Sequence, residues 1–293
     1  MRRRAGILAL LLLLACGAPA AATGAGAGAG PGVAVEIGAP EPAPAGRPIL
    51  LRVATFNLHH GVDPHGRPSL DTIGRFLADN RVDLAALQEV DRNWSLRSGL
   101  RDQAAVLAEM TGLHLAFLPT LSRGAQGYGL AVLSRFPILR EFSGLYRASG
   151  SEPRGYLGAE IDTPGGKISF VATHLGLSAA ERDGQTRELA AVLAALPGPL
   201  VMAGDLNLVP DAVAAGISSL FRDALAAAGR GHEGTLLTAP GLAAKRVDYL
   251  FVTPEFRIES CVVPEVDLSD HRPILASLSL YVDSVAGGCQ SLP

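Results

Sequence analysis

Short apolar runs that end on one chemistry-bearing residue recur along this chain, and they constrain its fold more than any other feature. Thr55-Phe56-Asn57-Leu58 closes one run, Leu87-Gln88-Glu89-Val90-Asp91 a second and Ala172-Thr173-His174-Leu175 a third. Ala203-Gly204-Asp205-Leu206-Asn207 and Arg246-Val247-Asp248-Tyr249-Leu250 repeat the pattern, and Ser269-Asp270-His271-Arg272-Pro273 opens onto Ile274-Leu275-Ala276. Each sets Asn, Glu, His or Asp at the end or mouth of a strand-like run. A lone Asp-His before a strand is often only solvated, but chance rarely supplies six such sites in one chain. Asp270-His271 puts a carboxylate beside an imidazole, the pair needed to hold a cation and a phosphate together.

Between these motifs the pattern mixes strands with helices. Leu50–Phe56 and Val82–Leu87 read as buried strands, with a helix between them capped at Ser69 and carrying Leu70, Ile73, Phe76 and Leu77 on one face. Leu100 to Met110 reads as a helix stopped at Gly112. Strand-like runs recur at 114–118, 129–134, 138–142, 156–161 and 167–173, the last two joined as a hairpin by Pro164-Gly165-Gly166. Ser178-Ala179-Ala180-Glu181 is a capping box opening a helix towards Leu196. A strand at 199–203, a helix at about 219–228 and strands near 247–252, 257–263 and 274–281 complete the series. Adjacent hairpins interleaved with helices mean α+β packing on mixed sheets. No Pro-, Gly- or Ser-rich break divides residues 47–283, so they read as one catalytic domain, followed by a tail at 284–293.

The N-terminus carries an address. Arg2-Arg3-Arg4 precedes an apolar stretch from Ile7 to Leu14 that is too short to span a bilayer, as in an export signal over residues 1–16. Leu13-Leu14-Ala15-Cys16-Gly17 matches a lipobox that would anchor Cys16 to a membrane surface; the alternative is cleavage after Ala18-Pro19-Ala20 and a soluble secreted form. Residues 17–46 are almost entirely Ala, Gly and Pro and bury nothing, so they read as a disordered tether of roughly 30 Å root-mean-square reach. With Cys16 lipidated, Cys261 and Cys289 remain, either as a disulfide in an oxidising compartment or as two thiols. Beyond the tether stand 22 basic and 26 acidic residues, about −4, with Lys167 and Lys245 the only lysines. Non-specific nucleic-acid binders usually show a basic excess, so DNA or RNA is not the favoured partner.

In order and residue type the motifs resemble the endonuclease/exonuclease/phosphatase superfamily over about residues 48–282; its members include pancreatic-type deoxyribonuclease, abasic-site endonucleases, neutral sphingomyelinases and inositol-polyphosphate 5-phosphatases. The resemblance implies a four-layer α/β/β/α sandwich of two mixed sheets, with functional residues gathered at one end. It also implies Mg²⁺, replaceable by Mn²⁺, at Glu89, Asn57 and Asp270, an oxygen set of the kind Mg²⁺ prefers, with Asn57 either a neutral oxygen ligand or the residue that orients a neighbouring carboxylate. Asp205 is cast as general base for the attacking water, Asn207 as its phosphate-contacting partner, and His271 as facing the phosphate with Asp248 on its other nitrogen. His174 contacts the phosphate from the opposite side. In nuclease members a carboxylate partners that histidine; no clear counterpart stands here, and Gln126 and Tyr128 are the positions to look. Many relatives carry Asn where Leu130 stands. Arg154, in Glu152-Pro153-Arg154-Gly155, resembles a family arginine placed near the substrate, the alternative being a surface residue.

Other residues carry less. Arg92, Trp94, Arg97, Arg101 and Gln103 fit a substrate rim or a solvated loop. His59 and His60 follow Asn57, but zinc sites want closed sets of Cys and His, and no such spacing appears. His65, His114 and His232 are assigned nothing. The expectation is therefore an exported, monomeric, metal-dependent phosphohydrolase, most simply a phosphodiesterase of lipids or small molecules. A secreted nuclease and a non-catalytic binding module are the alternatives.

Overall fold

The computed structural model describes residues 48–147, 152–210, 217 and 221–281. The segments expected to be an export signal with Cys16, a tether and a tail with Cys289 lie outside the described residues.

Two six-stranded sheets form the body. In the first, β13 (Phe256–Val262), β14 (Ile274–Tyr281), β1 (Pro48–Asn57), β2 (Leu84–Arg92), β4 (Gln126–Ser134) and β3 (His114–Arg123) lie side by side in that order. The second runs β5 (Ile138–Leu145), β6 (Gly155–Thr163), β7 (Gly166–His174), β8 (Leu200–Asp205), β12 (Asp248–Val252) and β9 (Arg222–Asp223). The apolar run of β1 is continuous because both its faces are covered: Leu51 and Val53 face the second sheet, while Ala54 and Phe56 face helices. Between the sheets, Ala86 and Val132 meet Phe170, Ala172 and Leu250. Helices α1 (Leu70–Asp79) and α2 (Gln103–Thr111) cover the outer face of the first sheet through Ile73, Leu77 and Leu107. Helix α3 (Ala179–Ala194) covers the second through Leu189 and Leu193. This is the four-layer α/β/β/α sandwich expected.

Each sheet is antiparallel except for one parallel pair, β1 with β2 and β7 with β8. Parallel neighbours end on the same side. Asn57 therefore lies opposite Gln88, next to Glu89, and His174 lies opposite Asp205. The antiparallel β12 begins where β8 ends, setting Asp248 opposite Asp205. The topology thus gathers the strand-end motifs.

The capping box closes as read: the Glu181 N–H donates to Ser178 Oγ at 3.3 Å, and the Ser178 N–H to Glu181 Oε2 at 3.1 Å. Gly112 ends α2 in the left-handed region at φ +68°. Three readings need correction. Ser69 sits at the N-cap of α1, yet its buried hydroxyl makes no capping bond. Helix α2 starts at Gln103 rather than Leu100, because Asp102 provides the cap to the Ala105 N–H. The helix at 219–228 shrinks to α4 (Ala224–Ala227), since Arg222 and Asp223 pair with β12 as β9. A small hairpin of β10 (Leu236–Ala239) and β11 (Leu242–Lys245) was not anticipated. Cys261 packs in the core, and burial pushes its thiol up to about 12.

Candidate active site

The site opens at the shared end of the two parallel pairs. On β2, residues 88 and 89 together oppose the single Leu130, a β-bulge that leaves Glu89 at φ +57°. Bulges re-aim side chains, and left-handed backbone at a residue with a Cβ is held only where its surroundings over-determine it. Here Asn57 supplies the hold. Its Nδ2 donates to Glu89 Oε1 at 3.2 Å and to Asp205 Oδ2 at 3.1 Å, while its Oδ1 accepts from the His59 N–H at 3.1 Å. Carboxylates only accept, so the amide orientation is fixed. Asn57 thus spans the two sheets.

Asp205 is almost fully buried, at 1% exposure. Its Oδ1 accepts the Asn207 N–H at 2.9 Å, the Asx turn that carries Asn207 at φ +50°. Its Oδ2 faces His174 Nε2 at 3.3 Å and His271 Nε2 at 3.7 Å. Asp248 Oδ2 and His271 Nδ1 are 2.8 Å apart, as the sequence reading implied. Ser269 Oγ donates to the Asn57 carbonyl and accepts the His271 N–H, tying that loop to β1.

His174 has the partner that could not be placed in the sequence. Arg154 Nη1 lies 2.7 Å from His174 Nδ1 and 2.8 Å from Glu152 Oε1. A guanidinium only donates, so Nδ1 accepts and the ring hydrogen sits on Nε2, aimed into the site. Where nuclease relatives place a carboxylate, this chain places an arginine backed by a glutamate. Arg154 is 7% exposed, so the surface alternative fails. Neither Gln126 nor Tyr128 bonds His174; Tyr128 lines the site, its phenol pushed up by burial and by the charges of Glu89 and Glu152.

The electrostatics divide the cluster. Burial alone would raise Asp205, but His174, His271 and the Asn207 N–H outweigh it and hold the carboxyl well below its usual range. Burial would likewise raise Glu89, yet the Asn57 amide, Arg154 and His271 keep it low. Burial would lower His271, but Asp248 and Asp205 raise it to about 10. Asp248 is raised, by burial first and then by Asp205. Asp205, Asp248 and His271 offer ligand atoms within 4.8 Å of one another. The trio could hold a metal ion, which would have to displace the imidazolium proton that both carboxylates favour. Glu89 and Asp270 are oxygen donors of the kind a hard divalent ion prefers, and Asp270 is partly open to solvent.

The rim is less basic than its arginines suggest. Arg97 is paired bidentately with buried Asp91, Arg101 with Asp71 and Arg154 with Glu152. Gln103 is no rim residue: buried, it accepts the Asp91 N–H and donates to the His60 carbonyl. Arg92 stacks on Phe117, a side chain packed on the helix-covered face. Arg123 lies over Trp94, which abuts Tyr128. On the other flank, a groove of about 280 Å³ beside Asp270 runs between His59, Val62 and Pro64 and the hairpin residues Leu237, Ala239 and Pro240.

Comparison with known proteins places this geometry. Residues 54–271 match the model of the Endonuclease/Exonuclease/phosphatase family. The chain is 30% identical over 157 residues to the protein cwh43 of Schizosaccharomyces pombe, a match spanning 53% of this chain and 16% of that protein. It is 28% identical over 257 residues to the uncharacterized protein YbhP of Escherichia coli, covering 78% of this chain and 96% of that one. Among solved structures, a family member from Beutenbergia cavernae superposes with a TM-score of 0.66 at 25% identity, over 79% of this chain and 72% of that one. A mannosyl-6-phosphatase of Bacteroides thetaiotaomicron, at 16% identity and a TM-score of 0.64, shares the fold over 78% of this chain and 99% of its own. The chain belongs to the endonuclease/exonuclease/phosphatase family.

Proposed function

We propose that this protein is a Mg²⁺-dependent phosphodiesterase, with Mn²⁺ able to substitute, that cleaves phosphate esters of lipids or small molecules. The observation that carries the reading is the buried cluster in which Asp205 faces two imidazoles while Asn57 links it to Glu89. Glu89 and Asp270 would hold the cation, with Asn57 orienting Glu89. When bound, that ion neutralises phosphoryl oxygens and eases departure of the leaving group.

The chain's own groups do the rest. Asp205, kept ionised, accepts the proton of the attacking water. Asn207, its Nδ2 anchored on the Leu175 carbonyl at 2.9 Å, and His174 Nε2–H face the phosphoryl oxygens, and Arg154 keeps the His174 hydrogen on that side. His271, cationic and fixed by Asp248, stabilises charge developing in the transition state. The groove beside Asp270, partly apolar and lined by the carboxylates of Asp63 and Asp270, suits an uncharged substituent better than a second backbone phosphate. Pairing of Arg97, Arg101 and Arg154 also argues against a polymer track. The lipobox-like segment at Cys16 and its Ala/Gly/Pro tether support an exported, membrane-anchored address.

The test is a substrate panel on the purified protein with Mg²⁺: bis-p-nitrophenyl phosphate, p-nitrophenyl phosphate, sphingomyelin, phosphoinositides and plasmid DNA. Turnover of a diester or lipid headgroup above the monoester and DNA is expected. Plasmid degraded at low enzyme concentration, with no headgroup turned over, would replace this reading with a nuclease.

A further inference from the structure

His59 and His60 follow Asn57 directly, and the hydrolysis described above uses neither. Their φ angles are +44° and +47°, and Gly61 follows at +73°. Residues with a Cβ rarely take that backbone, and two in succession persist only under external constraint. The constraints are visible. The His59 N–H is held by Asn57 Oδ1, and the His60 carbonyl by the buried Gln103 amide at 2.7 Å. Gln103 Nε2 also stands 2.6 Å from where a Cβ on Gly61 would be, so a larger residue there would have to displace the amide that holds the His60 carbonyl. The His60 ring meets the His59 ring edge-on, with centroids 4.4 Å apart, and limits its rotation.

The outcome is a ring nitrogen in an unusual position. His59 Nδ1 is buried and has no hydrogen-bond partner, although 37% of the side chain is exposed. Buried polar atoms are ordinarily paired. Asp270 Oδ1 lies 3.7 Å away, too far for a hydrogen bond. Two ligand atoms each ~2.1 Å from one ion stand between ~3.0 Å apart at a right angle and ~4.2 Å apart in line. The observed 3.7 Å lies between those two values, so a small rotation of either side chain brings both atoms onto one ion.

Resting on the reading of Glu89 and Asp270 as cation ligands, we propose that His59 Nδ1 is a further ligand of the same ion. The centre is then mixed nitrogen and oxygen. Imidazole is a poor match for Mg²⁺ and favours later first-row ions, so affinity should rise from Mg²⁺ to Mn²⁺ to Co²⁺.

Pulsed EPR on the Mn²⁺-loaded full chain, produced with ¹⁵N-labelled histidine, tests this without reference to turnover. A directly bound ¹⁵N coupling is expected in the wild type, retained in His60→Asn and lost in His59→Asn; Asn tolerates left-handed backbone. By titration calorimetry, His59→Asn should weaken Mn²⁺ by at least about tenfold and Mg²⁺ by much less. Bound Mn²⁺ without nitrogen coupling, coupling that survives in His59→Asn, or no Mn²⁺ binding would each overturn the proposal. The wild-type spectrum decides whether a histidine is bound even if a variant misfolds. Turnover of bis-p-nitrophenyl phosphate with all-oxygen coordination would remove the ligand and leave the hydrolase standing; nitrogen coupling with no phosphate ester turned over would do the reverse.

Discussion

Asp205 is the residue on which the other site groups converge. It accepts from Asn57 and Asn207 and faces both imidazoles. Asp205→Asn keeps the shape and removes the proposed base, so kcat should fall at least about 10²-fold with the thermal melt nearly unchanged; His271→Ala should cost a similar factor. Near-wild-type turnover in Asp205→Asn would remove it from the mechanism. The pH profile follows from the two shifts. Asp205 is held low and stays ionised through the acid range in which free carboxylates protonate. His271 is raised to about 10, so its cation is present below that pH and lost as pH rises through it. The rate should therefore decline on the alkaline side near pH 10, and an alkaline limb near the usual histidine range of about 6.5 would contradict the assignment. At this scale the sequence displayed residue types but not all partners. Asp248 beside His271 could be read by resemblance. Arg154 beside His174 could not, because a guanidinium supports that ring by donating to it, the reverse of what a carboxylate does.

At the scale of elements, strand ends do the positioning, and some glycines let strands approach. A Cβ on Gly204, immediately before Asp205, would stand 2.0 Å from the Thr173 carbonyl oxygen of β7. Gly204→Ala must push β7 and β8 apart, which we expect to cost roughly 1–3 kcal/mol or more in denaturant unfolding. Activity should fall with it, since His174 and Asp205 sit on those two strands; unchanged stability would contradict the packing described. Most of the sandwich was legible because its central strands are buried on both faces and read as unbroken apolar runs. The β10–β11 hairpin was not: Leu236 to Lys245 is short and largely exposed, so burial imposes no period on it. The bulge at Glu89 was also hidden, since two residues opposing one is a property of pairing. Only the motif marked Glu89 as special.

At the scale of the whole molecule, charge and address bear on the substrate. A folded part near −4 whose site-side arginines are mostly paired gives little purchase to a nucleic-acid backbone. If Cys16 carries lipid, Cys16→Ser should move the protein from the membrane fraction to the soluble one; a mature N-terminus at Ala21, read by mass spectrometry, would show a secreted form instead. We propose that Glu89, Asp270 and the cluster around Asp205 form a metal-dependent hydrolytic centre. Its most direct test is the hydrolysis of bis-p-nitrophenyl phosphate by the purified protein before and after chelation. Excess EDTA should abolish turnover and added Mg²⁺ or Mn²⁺ restore it, with Glu89→Ala needing more metal to reach half activity. Full turnover in excess EDTA would rule out a metal at Glu89 and Asp270.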